Sequence, residues 1–179
     1  MKKLLLTALA FISLSLSVAA QATTDDITLE RGYVEFTSLE ADYGEPKVMI
    51  NLNKTMLTFV SKLNASDPET SELISKLKAV RVNVYDIEGS VQPAMDLITK
   101  VSNDIAGKNW MPIVSVNEEK ERVRIFTKVT DDVMDGLVVM VVDDSAGAER
   151  EAVFINIVGE IDPEQLNKVT GSLNINVDL

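Results

Sequence analysis

The sequence predicts an α+β fold: a two-layer sandwich in which a mostly antiparallel sheet of five to six strands carries helices on one face. Three observations lead there. In the first half of the chain, short stretches that alternate apolar and polar residues are interleaved with stretches of helical spacing. From Trp110 onward the period is 2 throughout, and turn-forming clusters recur at 117–121, 130–136 and 143–151. Finally, 179 residues with 46% hydrophobic side chains, no internal repeat and no linker are the dimensions of one domain with a sizeable core.

Residues 1–22 open with Lys2 and Lys3, continue through the apolar stretch from Leu4 to Val18, and close on Ala20-Gln21-Ala22. That order predicts a secretory signal peptide cleaved after Ala22, and hence a periplasmic protein. The apolar run of about 15 residues is shorter than the roughly 20 that span a membrane. Later runs are shorter still, so no transmembrane segment is expected after cleavage. Removing these residues leaves 15 basic against 28 acidic side chains, a formal charge of −13. Such a charge argues against nucleic acid as a partner.

A polar, acidic stretch at 23–30 reads as a flexible leader, and 31–173 as the single α+β domain. Val48, Ile50 and Leu52 alternate with polar or flexible neighbours as in a strand, and Met56, Leu57, Phe59, Val60 and Leu63 then switch to helical spacing. Asp67-Pro68 reads as an N-cap with proline in the first turn, launching a helix with Leu73, Ile74 and Leu77 on one face and Lys76 and Lys78 near its end. The stretch 81–87 alternates again. Ser90 is placed to cap a long helix carrying Ala94, Leu97, Ile98, Val101 and Ile105, ended by Gly107. Four consecutive strands follow at 110–116, 122–129, 137–142 and 152–159. Short turns join only antiparallel neighbours, so these four form a meander, and the nearly all-apolar 137–142 and 152–159 belong inside it. Trp110 is expected to pack at the edge of the core. Asp162-Pro163 opens a last short helix with Leu166 and Val169, and 174–179 is an unassigned tail.

The absent residue types exclude a good deal of chemistry. With no Cys and no His there is no disulfide, thiolate nucleophile, imidazole base or Cys- or His-held metal. No catalytic residue, cofactor or metal site is assigned. Asp131, Asp132, Asp135, Asp143, Asp144 and Glu149 crowd the turns flanking 137–142, but an EF-hand register fails and the two groups sit roughly 20 Å apart at opposite ends of one strand. Ser75-Lys76-Leu77-Lys78 matches the Ser-x-x-Lys spacing of serine acyl-enzymes without that class's other motifs. The more informative feature is a stripe in the strand at 122–129, where Arg122, Arg124, Phe126 and Lys128 share one face while Val123, Ile125, Thr127 and Val129 turn towards the helices. Arg81 and Tyr85 occupy the equivalent outward face of the earlier strand. Arg81, Tyr85, Arg122, Arg124 and Lys128 are therefore the candidate partner-binding residues, on a sheet face expected to be open.

Taken together, the strings Gly44-Glu-Pro-Lys-Val-Met-Ile-Asn-Leu52, Leu77-Lys-Ala-Val-Arg-Val-Asn-Val-Tyr85, Leu137-Val-Val-Met-Val-Val-Asp143 and Ala152-Val-Phe-Ile-Asn-Ile-Val-Gly-Glu-Ile-Asp-Pro163 resemble the exported bacterial family known as domain of unknown function 4252. The resemblance runs over about 33–173. It implies an exported protein of the bacterial envelope, with a hint of envelope regulation, and no reaction from which catalytic residues could be carried over. Many members resemble lipoproteins with a processing-site Cys, which this chain lacks. The expectation is a non-enzymatic module for protein interaction or envelope regulation, binding a protein partner or a second copy of itself. The alternative is a His-free hydrolase or a small-ligand or calcium-binding protein of the envelope.

Overall fold

A computed structural model describes residues 26–36, 43–63, 66–144 and 150–161. The segment at 1–25, where a signal peptide is expected, and 162–179, where a last short helix and a tail are expected, lie outside the described residues. The ordered elements are β1 (Val48–Asn53), α1 (Lys54–Leu63), α2 (Pro68–Lys76), β2 (Leu77–Asp86), α3 (Gln92–Ala106), β3 (Met111–Asn117), β4 (Glu121–Thr130), β5 (Val133–Asp143) and β6 (Glu151–Ile161), preceded by a 3₁₀ turn at Ile27–Leu29. The strands form one six-stranded sheet in the order β1-β2-β6-β5-β4-β3, and every pairing is antiparallel. This is the α+β sandwich that the periodicity predicts, with β3 to β6 as the meander and β5 and β6 inside the sheet.

Local chemistry accounts for most element boundaries. Asn53 ends β1 and accepts the Met56 amide at 3.0 Å, so strand passes to helix without a linker. Asp67 caps α2 through the Thr70 amide, with Pro68 in the first turn. Two boundaries differ from expectation. Leu77 is already the first residue of β2 rather than a helical one, which places Lys78 on the strand. The residue at the N-cap of α3 is Val91, although the Ser90 hydroxyl still accepts the Gln92 amide at 3.2 Å.

Register assigns side chains to faces. Phe126, Val138 and Asn156 stand in one cross-strand row with Arg81 and Asn51, and Arg124, Met140 and Phe154 stand in another with Asn83 and Met49. These rows share one face, and its buried residues pack with Ala94, Met95, Leu97, Ile98, Val101 and Ile105 of α3 and with Trp110. The opposite face contributes Val80, Val82, Val123, Ile125, Leu137, Val139, Ile155 and Ile157, packed with Leu57 of α1 and with Leu73 and Ile74 of α2. The helices thus divide between the two faces. Val123 and Ile125 do meet helices as expected, but the stripe face is closed by α3 instead of lying open.

A strap formed by residues 32–36 closes the rest of that face. Val34 and Phe36 are buried in the α3-side core. The strap is tied to Asn156, which is fully buried: its Oδ1 accepts the Val34 amide at 3.0 Å and its Nδ2 donates to the Gly32 carbonyl at 2.8 Å and the Leu137 carbonyl at 3.3 Å. The strap crosses β5 where Gly32 lies against Gly136. A Cβ on Gly32 would stand 2.0 Å from the Asp135 carbonyl oxygen, and one on Gly136 would stand 2.6 Å from the Gly32 Cα.

Candidate functional site

The sheet order separates the residues that the sequence groups together. β6 and β5 lie between β2 and β4, so the strand carrying Arg81 and Tyr85 is about 14 Å from the strand carrying Arg122, Arg124 and Lys128 at about 4.8 Å per strand step. Each is engaged by other parts of the fold. Tyr85 is completely buried, stacked on Tyr43 at 5.0 Å between ring centroids and edge-on to Phe154. Arg81 donates to the Val34 carbonyl at 2.8 Å, with its guanidinium 4.8 Å from the Tyr33 ring centroid. Arg122 reaches across to α3, donating to the Met95 carbonyl at 3.2 Å. Arg124 donates to the Val116 carbonyl and to Asn117 Oδ1 on β3, and Lys128 donates to the Lys108 carbonyl. Burial and the neighbouring Arg122 charge hold the Arg124 pKa below its ordinary value. The stripe fastens the strap, α3 and β3 to the sheet, and the expectation of an open face carrying these five side chains is corrected accordingly.

The other residues singled out by sequence are also placed. Ser75 is exposed and its hydroxyl donates to the Glu72 carbonyl, while Lys78 forms an ion pair with Glu30 at 2.6 Å. The serine and lysine are therefore not assembled as nucleophile and base. Asp131 and Asp132 form the two-residue β4–β5 turn, both at positive φ (52° and 64°), and Asp143 lies at the far end of β5, where it pairs with Glu151. A cleft of about 660 Å³ is lined by Tyr43, Glu45, Lys47, Asp86, Ile87, Glu88, Ser90, Pro93 and Ala94. Lys47 is engaged there by Asp86 at 3.1 Å and Glu151 at 3.0 Å.

What remains on the surface is apolar and lies at the opposite edge from β3. Every residue of β1 except the partly buried Leu52 is exposed, and Val48, Met49 and Ile50 are 41%, 50% and 40% accessible. On α1, Met56, Phe59 and Leu63 follow helical spacing along the outward side, at 50%, 63% and 68%, while Leu57 and Ser61 turn inward. Val48 and Ile50 pair with Val84 and Val82, so they point to the same face of the sheet that α1 covers. Two exposed apolar groups, on a strand and a helix that follow each other directly in the chain, therefore adjoin a sheet edge.

The two edges of the sheet differ in their protection. β3 carries Pro112 and a bulge between Pro112 and Val114, two devices that discourage further pairing. β1 pairs with β2 without a break from Val48 to Asn53, has neither proline nor charged residue, and pairs with no further strand among the described residues. At its lower end lies a second cleft of about 260 Å³, lined by Ile27, Glu30, Asn53, Lys54, Lys76 and Lys78. Sequence reasoning passed over this surface. Its signal was available in α1, whose apolar residues 56, 57, 59, 60 and 63 are spread too widely to be buried by one sheet face.

Fold and surface together define an antiparallel α+β domain with one protected edge and, among the described residues, one unprotected edge. The family model described as Domain of unknown function (DUF4252) matches residues 43–169, and the chain belongs to that family. No curated protein matches the chain.

Proposed function

We propose that this chain is an exported, non-enzymatic protein-interaction module of the bacterial envelope, and that it docks its partner on the outer edge of β1 and the exposed side of α1. The observation that carries the reading is the unprotected β1 edge, where Val48, Met49 and Ile50 lie beside the Met56, Phe59 and Leu63 stripe. Apolar side chains exposed in this arrangement cost solubility and contribute little to the core, a combination expected of a contact surface. Export is supported by the basic start, apolar run and Ala20-Gln21-Ala22 ending of residues 1–22.

A photoreactive phenylalanine analogue at position 59 tests the surface, with the same analogue at the exposed Lys100 on α3 as control. Irradiation in the native envelope should yield an adduct with a second polypeptide from position 59 alone, and Ile50→Lys should abolish it. Adducts at neither position, or equally at both, refute the reading. Amino-terminal sequencing of the fractionated protein should begin at Thr23; a mature chain still beginning at Met1 would refute export by cleavage.

A further inference from the structure

We infer that the β1 edge receives an extended, acid-led segment of another protein as a seventh, antiparallel strand; this rests on the docking surface proposed above and names its occupant. Three observations converge on strand addition. β1 is an edge strand with an unbroken register, so its outward N–H and C=O groups are evenly placed for a ladder. Its counterpart β3 is guarded by Pro112 and a bulge, so pairing is blocked at one edge and, among the described residues, unblocked at the other. Finally, Val48 and Ile50 stand exposed on one side of β1 and Met49 on the other, which supplies apolar contacts to alternate side chains of an incoming strand.

Charge identifies the occupant. In a chain of net charge −11, the stretch 46–66 that contains β1 and α1 holds three lysines and no carboxylate. The cleft beside Asn53 adds Lys76 and Lys78 to Lys54; Glu72 pairs with Lys76 at 3.0 Å and Glu30 with Lys78 at 2.6 Å, so three lysines stand against two carboxylates there. Lys54 points its ammonium at the Ser75 and Leu77 carbonyls, at 2.5 and 3.0 Å, which holds a positive charge at the lower end of the β1 edge. A strand running antiparallel to β1 starts at that end, so its first residues meet the lysines and its later ones meet Ile50 and Val48. The fitting ligand is thus a segment with carboxylates at its N-terminal end followed by alternating apolar residues. A second copy does not fit as well, because edge-to-edge pairing of two β1 strands about their centre sets Lys47 of one against Lys54 of the other.

Blocked synthetic peptides test this on the mature protein. The probe is Glu-Asp-Glu-Val-Thr-Ile-Ser-Val, with controls in which lysine replaces the three leading acids or in which either alternate set of backbone amides is N-methylated. The acid-led peptide should bind at least tenfold more tightly than the lysine-led one at low salt, with the gap narrowing as salt rises. It should slow amide exchange in β1 and leave β3 unchanged. One N-methylated set should abolish binding and the other should not, because alternate amides of a docked strand face the edge. Equal binding of the two methylated peptides, absence of a charge preference, protection at β3, or no binding would each overturn the inference. So would a β1-paired dimer of the protein alone, seen in sedimentation and dissolved by Ile50→Lys. The position-59 adduct separates the two levels: if it forms while the peptides fail, the interaction surface stands and strand addition falls.

Discussion

Replacing Asn156 by leucine tests whether the strap is held by hydrogen bonds or merely lies on the sheet. Asn156 is completely buried and makes three hydrogen bonds, two of them to the strap. Leucine has similar volume, so the change leaves little cavity and isolates the polar loss. The buried Val34 amide then has no acceptor at that position, which costs about 1–3 kcal/mol, and the lost bond to the Gly32 carbonyl adds about 1 kcal/mol. Allowing some return from the extra apolar burial, we expect a loss of about 2–4 kcal/mol in urea unfolding, or roughly 5–15 °C in Tm for a domain of this size. Amide exchange at Val34 and Phe36 should accelerate more than exchange in the β5–β6 centre, because the strap opens before the sheet. A loss under about 0.5 kcal/mol with Val34 still protected would refute the reasoning, since it would show the strap held by apolar contact alone.

Other outcomes follow from the same structure. Burial and the hydrogen bond to Glu35 hold the Tyr33 pKa above its usual value near 10, so the unfolded chain releases this proton first. Stability should be fully present below pH ~10 and fall as pH rises through the folded value; in Tyr33→Phe that decline should shrink, and unchanged alkaline melting curves would contradict it. Gly136→Ala would place its Cβ 2.6 Å from the Gly32 Cα and should release the strap, read as new proteolytic cleavage near residue 32. Phe154→Ala removes the ring that contacts Phe36, Tyr43 and Tyr85 and should cost about 3–5 kcal/mol in denaturant unfolding. Phe59→Ser, by contrast, should change stability by no more than about 0.5 kcal/mol, because its ring contributes to the surface; a larger loss would place it in the core.

Most elements were legible in the sequence because each has a local cause. Period-2 alternation marks β1, β2 and β4, Asp67-Pro68 marks the start of α2, and the i, i+3, i+4 spacing of Ala94, Leu97, Ile98, Val101 and Ile105 marks α3. Turns at 118–120 and 131–132 make the meander antiparallel whatever else the chain does. The lack of His and Cys likewise restricts the chemistry independently of any fold.

Which face each helix covers is a long-range matter, and alternation in one strand does not settle it. The pattern of β4 separates Arg122, Arg124, Phe126 and Lys128 from Val123 and Ile125, yet both sets find helices, because α1 and α2 go to one side and α3 to the other. A cation in such a stripe looks like solvated surface until Arg122 is seen to reach a carbonyl of α3 and Arg81 a carbonyl of the strap. The insertion of β6 between β2 and β5 separates the two halves of the stripe, since strand order depends on pairing between residues more than 60 positions apart. The sequence by itself determined the elements, the all-antiparallel second half and the excluded chemistry, because these depend on neighbours along the chain. Only the tertiary structure decided that the cationic stripe serves the interior and that β1 and α1 stay exposed, because burial is a property of the whole packed sheet.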